Sequence, residues 1–196
     1  MLRLRSTTIG FKEWSLVCEA LGAGVQSLIL RKGGIAEGKG GFQWQASRFL
    51  LFPTHFHEQA QQVSWTPPHL SSEVPSDEQI IIQYAAEVQF TAQVSQWETA
   101  LTLAPHHIWK ETVVRERFGY GAEPGLSLAF VRIYRLASPL RLQPQPSFGG
   151  CRSWLDLPEH SLDDATAVLT PEENAQRADA VRQCLAPEAE TLLKGG

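Results

Sequence analysis

The sequence predicts an α+β fold in which a curved, mixed or antiparallel sheet carries a helix near each end of the chain. Two observations support this class. The segments Ile80–Val94 and Leu126–Leu136 are long and rich in β-branched and aromatic residues. Helical patterns stand before and after them, around residues 8–21 and 170–186, an arrangement typical of helices packed on an antiparallel or mixed sheet.

One domain accounts for the whole chain. Its 196 residues, of which 43% are hydrophobic and 19% charged, suffice for one sizeable core. No linker or internal repeat divides it. We therefore expect a single domain over residues 1–196, with a core over about 8–157 and a peripheral acidic helix at about 170–186.

The first elements are a helix and two strands. Phe11, Trp14, Cys18 and Leu21 recur at helical spacing, which predicts a helix that begins after Thr7 or Thr8. The later segments are then assigned in chain order. They are a strand at 25–32, a glycine-rich turn at 33–41, a strand at 42–52 that Pro53 stops, a short polar helix at 55–63 and a proline-rich loop at 64–79.

The second half contains two more helices and the longest strands. The strand at 80–94 is expected to bend near Ala85 and Ala86. Pro105 precedes a predicted helix from His106 to about Phe118. The remaining segments are a strand at 126–136, a short strand or turn at 148–157 and a helix from about 170 to 185. Its start has the Thr170-Pro-Glu-Glu173 pattern of a capping box, and Pro187 is expected to end it.

Charge is distributed in alternating blocks. Formal net charge is +4 over residues 1–48, −6 over 49–106, +4 over 107–153 and −6 over 154–196, for a total of −4. If the two basic blocks meet in the fold, they form a positive face that suits an anionic partner. Local pairing with acids is the alternative.

The turn at Leu30-Arg31-Lys32-Gly33-Gly34-Ile35 is the strongest candidate for an anion site. Two cations end a strand, and the two glycines let the backbone approach a ligand closely. The pattern lacks the spacing of a P-loop. Further cations and aromatic residues are candidates for the same ligand: His106, Lys110, Arg117 and Arg132 for contacts to phosphates, and Trp154 or Tyr134 for base stacking.

Metal binding and nucleophilic catalysis are weaker alternatives. His55 and His57 flank Phe56 and would point the same way on a strand, so they are candidate metal ligands together with Glu58, His106 or His107. Glu13 and Glu19, six residues apart on the predicted first helix, do not form an obvious pair of acids. No metal and no other cofactor is therefore predicted.

The three cysteines, Cys18, Cys151 and Cys184, form no C-x-x-C pair and have no obvious base partner. Reduced thiols in a cytoplasmic protein are the plain interpretation. Cys151, between two glycines and Arg152, is expected to be a buried structural thiol rather than an activated one. The N-terminus lacks the apolar stretch of a signal peptide, and no apolar run is long enough to span a bilayer.

Several motifs resemble an uncharacterised, largely cyanobacterial and bacterial family, domain of unknown function 1802. The more specific ones are Leu-Arg-Lys-Gly-Gly-Ile at 30–35 and Gly-Cys-Arg-Ser-Trp at 150–154. The others are Phe11-Lys-Glu-Trp14, Glu19-Ala-Leu21, Phe52-Pro-Thr54, His57, His106, Trp109, Arg117-Phe118 and Arg132-Ile-Tyr-Arg-Leu136. The resemblance implies no established activity. It implies a nucleic-acid context only through the restriction-endonuclease-like segments thought to accompany some members.

Residues 11–35 also look loosely like small pseudo-barrels of the PUA and ASCH kind, which bind RNA or modified bases. Three functions follow from the sequence. The first is a non-catalytic domain that binds nucleic acid or a nucleotide-like anion, in a restriction, defence or RNA context. The second is a metal-dependent hydrolase or nuclease that uses His55, His57 and His106. The third is a protein-interaction module, with no membrane partner in any of the three.

Overall fold

The computed structural model describes residues 6–32, 42–56, 58–68, 79–120 and 124–194, and the side chains of these residues up to 188. The described helices are α1 (Ser15–Gly22), α2 (Trp97–Thr102), α3 (Glu111–Phe118) and α4 (Pro171–Lys194). The described strands are β1 (Thr7–Trp14), β2 (Leu28–Lys32), β3 (Arg48–Thr54), β4 (Ile80–Val94), β5 (Leu126–Leu142), β6 (Trp154–His160) and β7 (Thr166–Ala167). Short 3-10 helices lie at Gln59–Gln62, Ala104–His106 and Pro146–Phe148.

The strands form one mixed sheet in the order β2-β5-β4-β3-β1-β6, and β7 pairs with β5. Only the β1–β3 pair is parallel; the other described pairs are antiparallel. This confirms the α+β class with a mixed sheet. In the described part of the chain, β2 and β6 are the two ends of an open sheet rather than neighbours in a closed barrel.

Hydrophobic residues pack on both sides of the sheet. The larger cluster joins the sheet to α1, α3 and α4 and includes Phe11, Leu21, Phe130 and Val181. The smaller cluster includes Leu50, Phe52, Ile82 and Leu157. The alternation of β3 explains the division, because Leu50 and Phe52 belong to one cluster and Phe49 and Leu51 to the other.

The predicted N-terminal helix was wrong in its first half. Residues 7–14 form β1, and only Ser15–Gly22 is helical. Phe11 and Trp14 lie on the strand, whereas Cys18 and Leu21 lie on the helix, so their helical spacing arises from two different elements. The run Thr7-Thr8-Ile9 carries β-branched side chains that favour the extended conformation.

Two proline predictions were also wrong. β3 continues through Pro53 to Thr54, because its pairing with β4 covers only residues 48–50 and the proline needs no hydrogen bond on that side. The last helix continues through Pro187 to Lys194. Its start was predicted correctly: the amide of Glu173 donates to Thr170 Oγ1 at 3.2 Å, and the amide of Thr170 donates to Glu173 Oε2 at 2.9 Å.

Other boundaries shift by a few residues. The predicted helix from His106 is a 3-10 helix at Ala104–His106, an extended stretch, and then α3 from Glu111. The strands predicted from 25 and 42 begin at Leu28 and Arg48, and β5 extends six residues past Leu136. The irregularities in β4 fall at Ile82/Tyr84 and Val88/Phe90 rather than at the two alanines.

Candidate nucleic-acid interface

The two basic blocks of the sequence meet around one buried carboxylate. Glu13 is only 1% exposed, and its Oε2 accepts a hydrogen bond from Arg31 Nη1 at 2.8 Å. Arg31 also donates to the carbonyl of Lys12, and Arg117 Nη1 donates to the carbonyl of Leu30 at 3.0 Å. One arginine from each basic block therefore lies in this region, which contains two positive charges and one negative charge.

The guanidinium of Arg117 lies between two indole rings. Its Cζ is 4.9 Å from the ring centre of Trp14 and 4.7 Å from that of Trp109, distances typical of cation–π contacts. Burial lowers the pKa of Arg117 to about 10, with Glu13 opposing and Arg31 reinforcing that change. The group therefore stays protonated at neutral pH.

Exposed aromatic rings lie on both sides of this group. Lys32 Nζ is 3.6 Å from the ring centre of Tyr120, whose side chain is 49% exposed. Phe56, which is 37% exposed, packs edge-to-face on Trp14 at 4.8 Å. We call the set Lys32, Tyr120, Arg31, Arg117, Trp14 and Phe56 the aromatic–cation surface.

A pocket of about 180 Å³ begins beside Phe56, at His55. Its lining combines apolar residues of β3 with Glu19 of α1, with Gln83 and Tyr84 of β4, and with Gln79, which precedes β4. Gln83 Nε2 lies 3.5 Å from Glu19 Oε1. Burial, and then the carboxylate of Glu19, raise the pKa of Tyr84, so its hydroxyl stays protonated.

The glycine turn and one histidine of the predicted site, Gly33, Gly34 and His57, lie outside the described residues. Lys110 is exposed at the N-terminus of α3, and its Nζ donates to the carbonyl of Gln61 at 2.7 Å. It does not lie on one helix with His106, as the predicted helix from His106 implied, because α3 begins only at Glu111.

Arg132 and Trp154 are not members of the aromatic–cation surface. Arg132 on β5 lies opposite Glu87 on β4 in the strand register, and its Cζ is 5.8 Å from the centre of the Tyr134 ring. The Trp154 ring lies 4.8 Å from that of Phe11, and its Nε1 donates to the carbonyl of Gln43 at 3.2 Å. Trp154 thus belongs to the aromatic cluster beneath Arg31, whose Cζ is 4.3 Å from the Phe11 ring.

His106 lies near α4, where its Nε2 is 3.7 Å from Cys184 Sγ. It also lines a second pocket of about 160 Å³ with Arg177, and burial, then Arg177, lower its pKa. No sequence pattern indicates this contact between a cysteine and a histidine. The adjacent His107 is buried, and neither of its ring nitrogens hydrogen-bonds within the described structure.

The described residues hold no group of three potential metal ligands. His55 and His106 line different pockets. Glu13 lies on β1, not on a helix, and is paired with Arg31. Cys151 was expected to be buried but is exposed, because Gly150 and Cys151 lie in the irregular segment before β6.

Sequence reasoning did not identify the aromatic members Tyr120, Trp14 and Phe56 as a surface, nor the pocket. The only local signal for Tyr120 is a large ring between two glycines, Gly119 and Gly121. Glu19, Gln83 and Tyr84 carry no motif, since they come together only when α1 packs beside β4.

Comparison with known proteins identifies a family. A family model described as "Domain of unknown function (DUF1802)" matches residues 10–180. No curated protein matches the chain. Among the part of the chain that the structure describes, no helix has the length and apolarity needed to cross a bilayer.

Similar solved structures include the crystal structure of ASCH from Zymomonas mobilis. It is 11% identical, with a TM-score of 0.46, and the alignment covers 88% of this chain and 93% of that one. A mutant form of the same protein is 12% identical, with a TM-score of 0.44, and covers 87% and 96% of the two chains.

Proposed function

We propose that this chain, which belongs to the DUF1802 family, is a non-catalytic domain that binds single-stranded nucleic acid through the aromatic–cation surface. One observation carries the proposal: Arg31 and Arg117, from separate basic blocks, meet beside exposed aromatic rings. Family membership adds no activity, because the family is described only as a domain of unknown function.

The charge balance favours an anionic ligand. Arg31 forms an ion pair with Glu13, whereas Arg117 hydrogen-bonds to the carbonyl of Leu30, so the group has two positive charges and one negative charge. Lys32 is exposed beside it. Phosphates attract such charges without regard to base sequence, and the resulting affinity falls as salt rises.

The aromatic rings favour a single strand over a duplex. Bases that are not paired can stack on exposed aromatic side chains. Tyr120 and Phe56 each present more than a third of their surface to solvent. Arg117 stacks on Trp14, and Phe56 packs on the same indole, so this region combines positive charge with aromatic rings, as single-strand binders do.

The test measures binding of labelled single-stranded RNA, single-stranded DNA and duplex DNA at about 50 and 200 mM salt. We expect the single strands to bind more tightly and to weaken as salt rises. In Lys32→Ala, the logarithmic salt dependence on a single strand should become shallower by about 0.7. In Tyr120→Ala, binding should weaken by about 1–3 kcal/mol with little change in salt dependence.

The matched control is Arg182→Ala, which removes one exposed cation from α4 and should bind like the wild type. Both test residues are exposed, so their loss should not unfold the domain. Wild-type protein that binds none of the three nucleic acids at 50 mM salt would rule out the proposal. So would equal weakening by the test and control substitutions.

A further inference from the structure

The pocket beside the aromatic–cation surface has room for one six-membered ring. Its volume is about 180 Å³, and a protein cavity of about 150 Å³ holds benzene. Ile81, which is 37% exposed, lines it together with the exposed residues His55 and Gln79, so the pocket opens to solvent. A pyrimidine ring is close to benzene in size and fits this space, whereas a fused purine is a larger ring system.

The walls suit a flat heteroaromatic ring. Leu51 and Pro53 supply apolar surface from β3, and Tyr84 supplies an aromatic ring from β4. Glu19 and Gln83, from α1 and β4, bring a carboxylate and an amide within 3.5 Å of each other. A ligand edge placed there meets an acceptor on one side and an amide donor on the other.

Cytosine has the complementary edge. Its exocyclic amine donates, and a carboxylate is a side chain that accepts from this amine. Its ring nitrogen and carbonyl oxygen are acceptors, and either can accept a hydrogen bond from the Gln83 amide group. Uracil presents a carbonyl oxygen where cytosine has the amine, so the carboxylate of Glu19 would face a second acceptor.

The chain links the pocket to the aromatic–cation surface through two adjacent residues. His55 lines the pocket, and its chain neighbour Phe56 packs on Trp14, which in turn lies against Arg117. A strand held by the cations would therefore pass the pocket entrance. Extruding one unpaired base into a pocket costs little in a single strand.

We propose that this pocket holds one cytosine base of a bound single strand and prefers it to uracil through Glu19. This inference rests on the proposed function for the strand, but the base preference has its own test. The probes are cytidine 5′-monophosphate, uridine 5′-monophosphate and adenosine 5′-monophosphate, titrated into the intact protein and followed by NMR.

We expect the cytidine nucleotide to bind at least about fivefold more tightly than the uridine nucleotide, the lower limit for one good base contact. Glu19→Gln keeps the side-chain shape but can donate to the uracil carbonyl, so the ratio should fall to about one or reverse. Ile81→Trp fills the entrance and should weaken all three nucleotides. Both variants should retain the wild-type unfolding midpoint.

The outcomes separate the two proposals. Equal affinity for the three nucleotides, or an unchanged cytidine preference in Glu19→Gln, overturns the cytosine pocket even if single strands bind. Cytidine preference without salt-dependent binding of single strands supports the pocket and overturns the proposed function. A Lys32→Ala/Tyr120→Ala double variant should lose strand affinity while keeping the cytidine preference.

Discussion

Glu13 is the residue that explains why the conspicuous Arg31 cannot be tested simply by its removal. Its carboxylate is buried and pairs with Arg31 at 2.8 Å. Loss of one partner from a buried ion pair leaves an uncompensated charge and costs about 3–5 kcal/mol. Arg31 on β2 therefore stabilises the contact with β1 and also contributes positive charge to the surface. Substitutions of Lys32 and Tyr120 therefore test binding without this loss of stability.

His107 predicts an acid-sensitive fold. Burial, then Arg117 and His106, lower the pKa of His107 from its usual 6.5 to about 4. The unfolded chain takes up this proton near pH 6.5 and the folded chain only near pH 4. The contribution of neutral His107 to the free energy of unfolding is therefore fully present above pH 6.5. It falls as pH decreases through this window, by about 3 kcal/mol in all.

Urea unfolding between pH 7 and pH 4 checks this expectation. His107→Leu should lose most of the acid-dependent part of the free energy of unfolding, whatever its stability at pH 7. His160→Gln serves as the control, because His160 is a partly exposed histidine on β6. If His107→Leu retained the full wild-type pH dependence, another group would be responsible.

Which single residues come together at the candidate site was only partly predictable from the sequence. The sequence showed two basic blocks, and Arg31 and Arg117 do meet, although 86 positions separate them. It could not show that Glu13 would be buried between the blocks, because its neighbours in the chain suggested a helix. Nor could it show that Cys184 meets His106, since that contact depends on how α4 packs.

Among the elements, α4 shows how a tertiary contact holds a helix that contains proline. Glu188 follows Pro187 and is 7% exposed. Its carboxylate accepts hydrogen bonds from the amides of Ser95 and Gln96 at 3.1 and 2.9 Å and from Ser95 Oγ at 2.7 Å. Burial by itself would raise the pKa of Glu188, but these hydrogen bonds lower it.

We therefore expect Glu188→Ala to destabilise the protein by about 1–3 kcal/mol, the usual cost of leaving hydrogen-bond donors without their acceptor. The amides of Ser95 and Gln96, at the start of α2, should exchange faster with solvent. Hydrogen exchange and urea unfolding measure the two effects. Glu116→Ala, which removes an exposed acid on α3, is the matched control; equal exchange rates in both variants would contradict this role of Glu188.

The elements predicted well are those that local chemistry defines. The capping box at Thr170 fixes the start of α4, and the long apolar alternation of residues 126–136 marks β5. Residues 7–14 were assigned wrongly, because strand β1 and helix α1 follow each other without a break and imitate one helical stripe. Neither Pro53 nor Pro187 ends its element. β3 lacks pairing with β4 at Pro53, and the contacts of Glu188 hold α4 just after Pro187.

At the scale of the whole molecule, the open sheet depends on helices for its cover. The parallel pair of β1 and β3 is connected through α1 and β2, which places α1 over the sheet. The other end of the chain contributes Ala178 and Val181 of α4 to the same large cluster. The first and last helices therefore share one core.

This sharing predicts where the chain can be shortened. A chain that ends at Thr170 loses α4, including Ala178, Val181 and the carboxylate that binds the amides just before α2. Since a buried aliphatic side chain contributes about 1.5–3 kcal/mol and whole domains are stable by about 5–15 kcal/mol, this chain should be largely unfolded, or bind a hydrophobic dye. A chain that ends at Glu188 keeps these contacts and should unfold cooperatively.

Circular dichroism and thermal unfolding distinguish the two shortened chains. If the chain ending at Thr170 retained the wild-type midpoint, α4 would be peripheral, as the sequence suggested, and residues 8–157 would carry the stability of the fold.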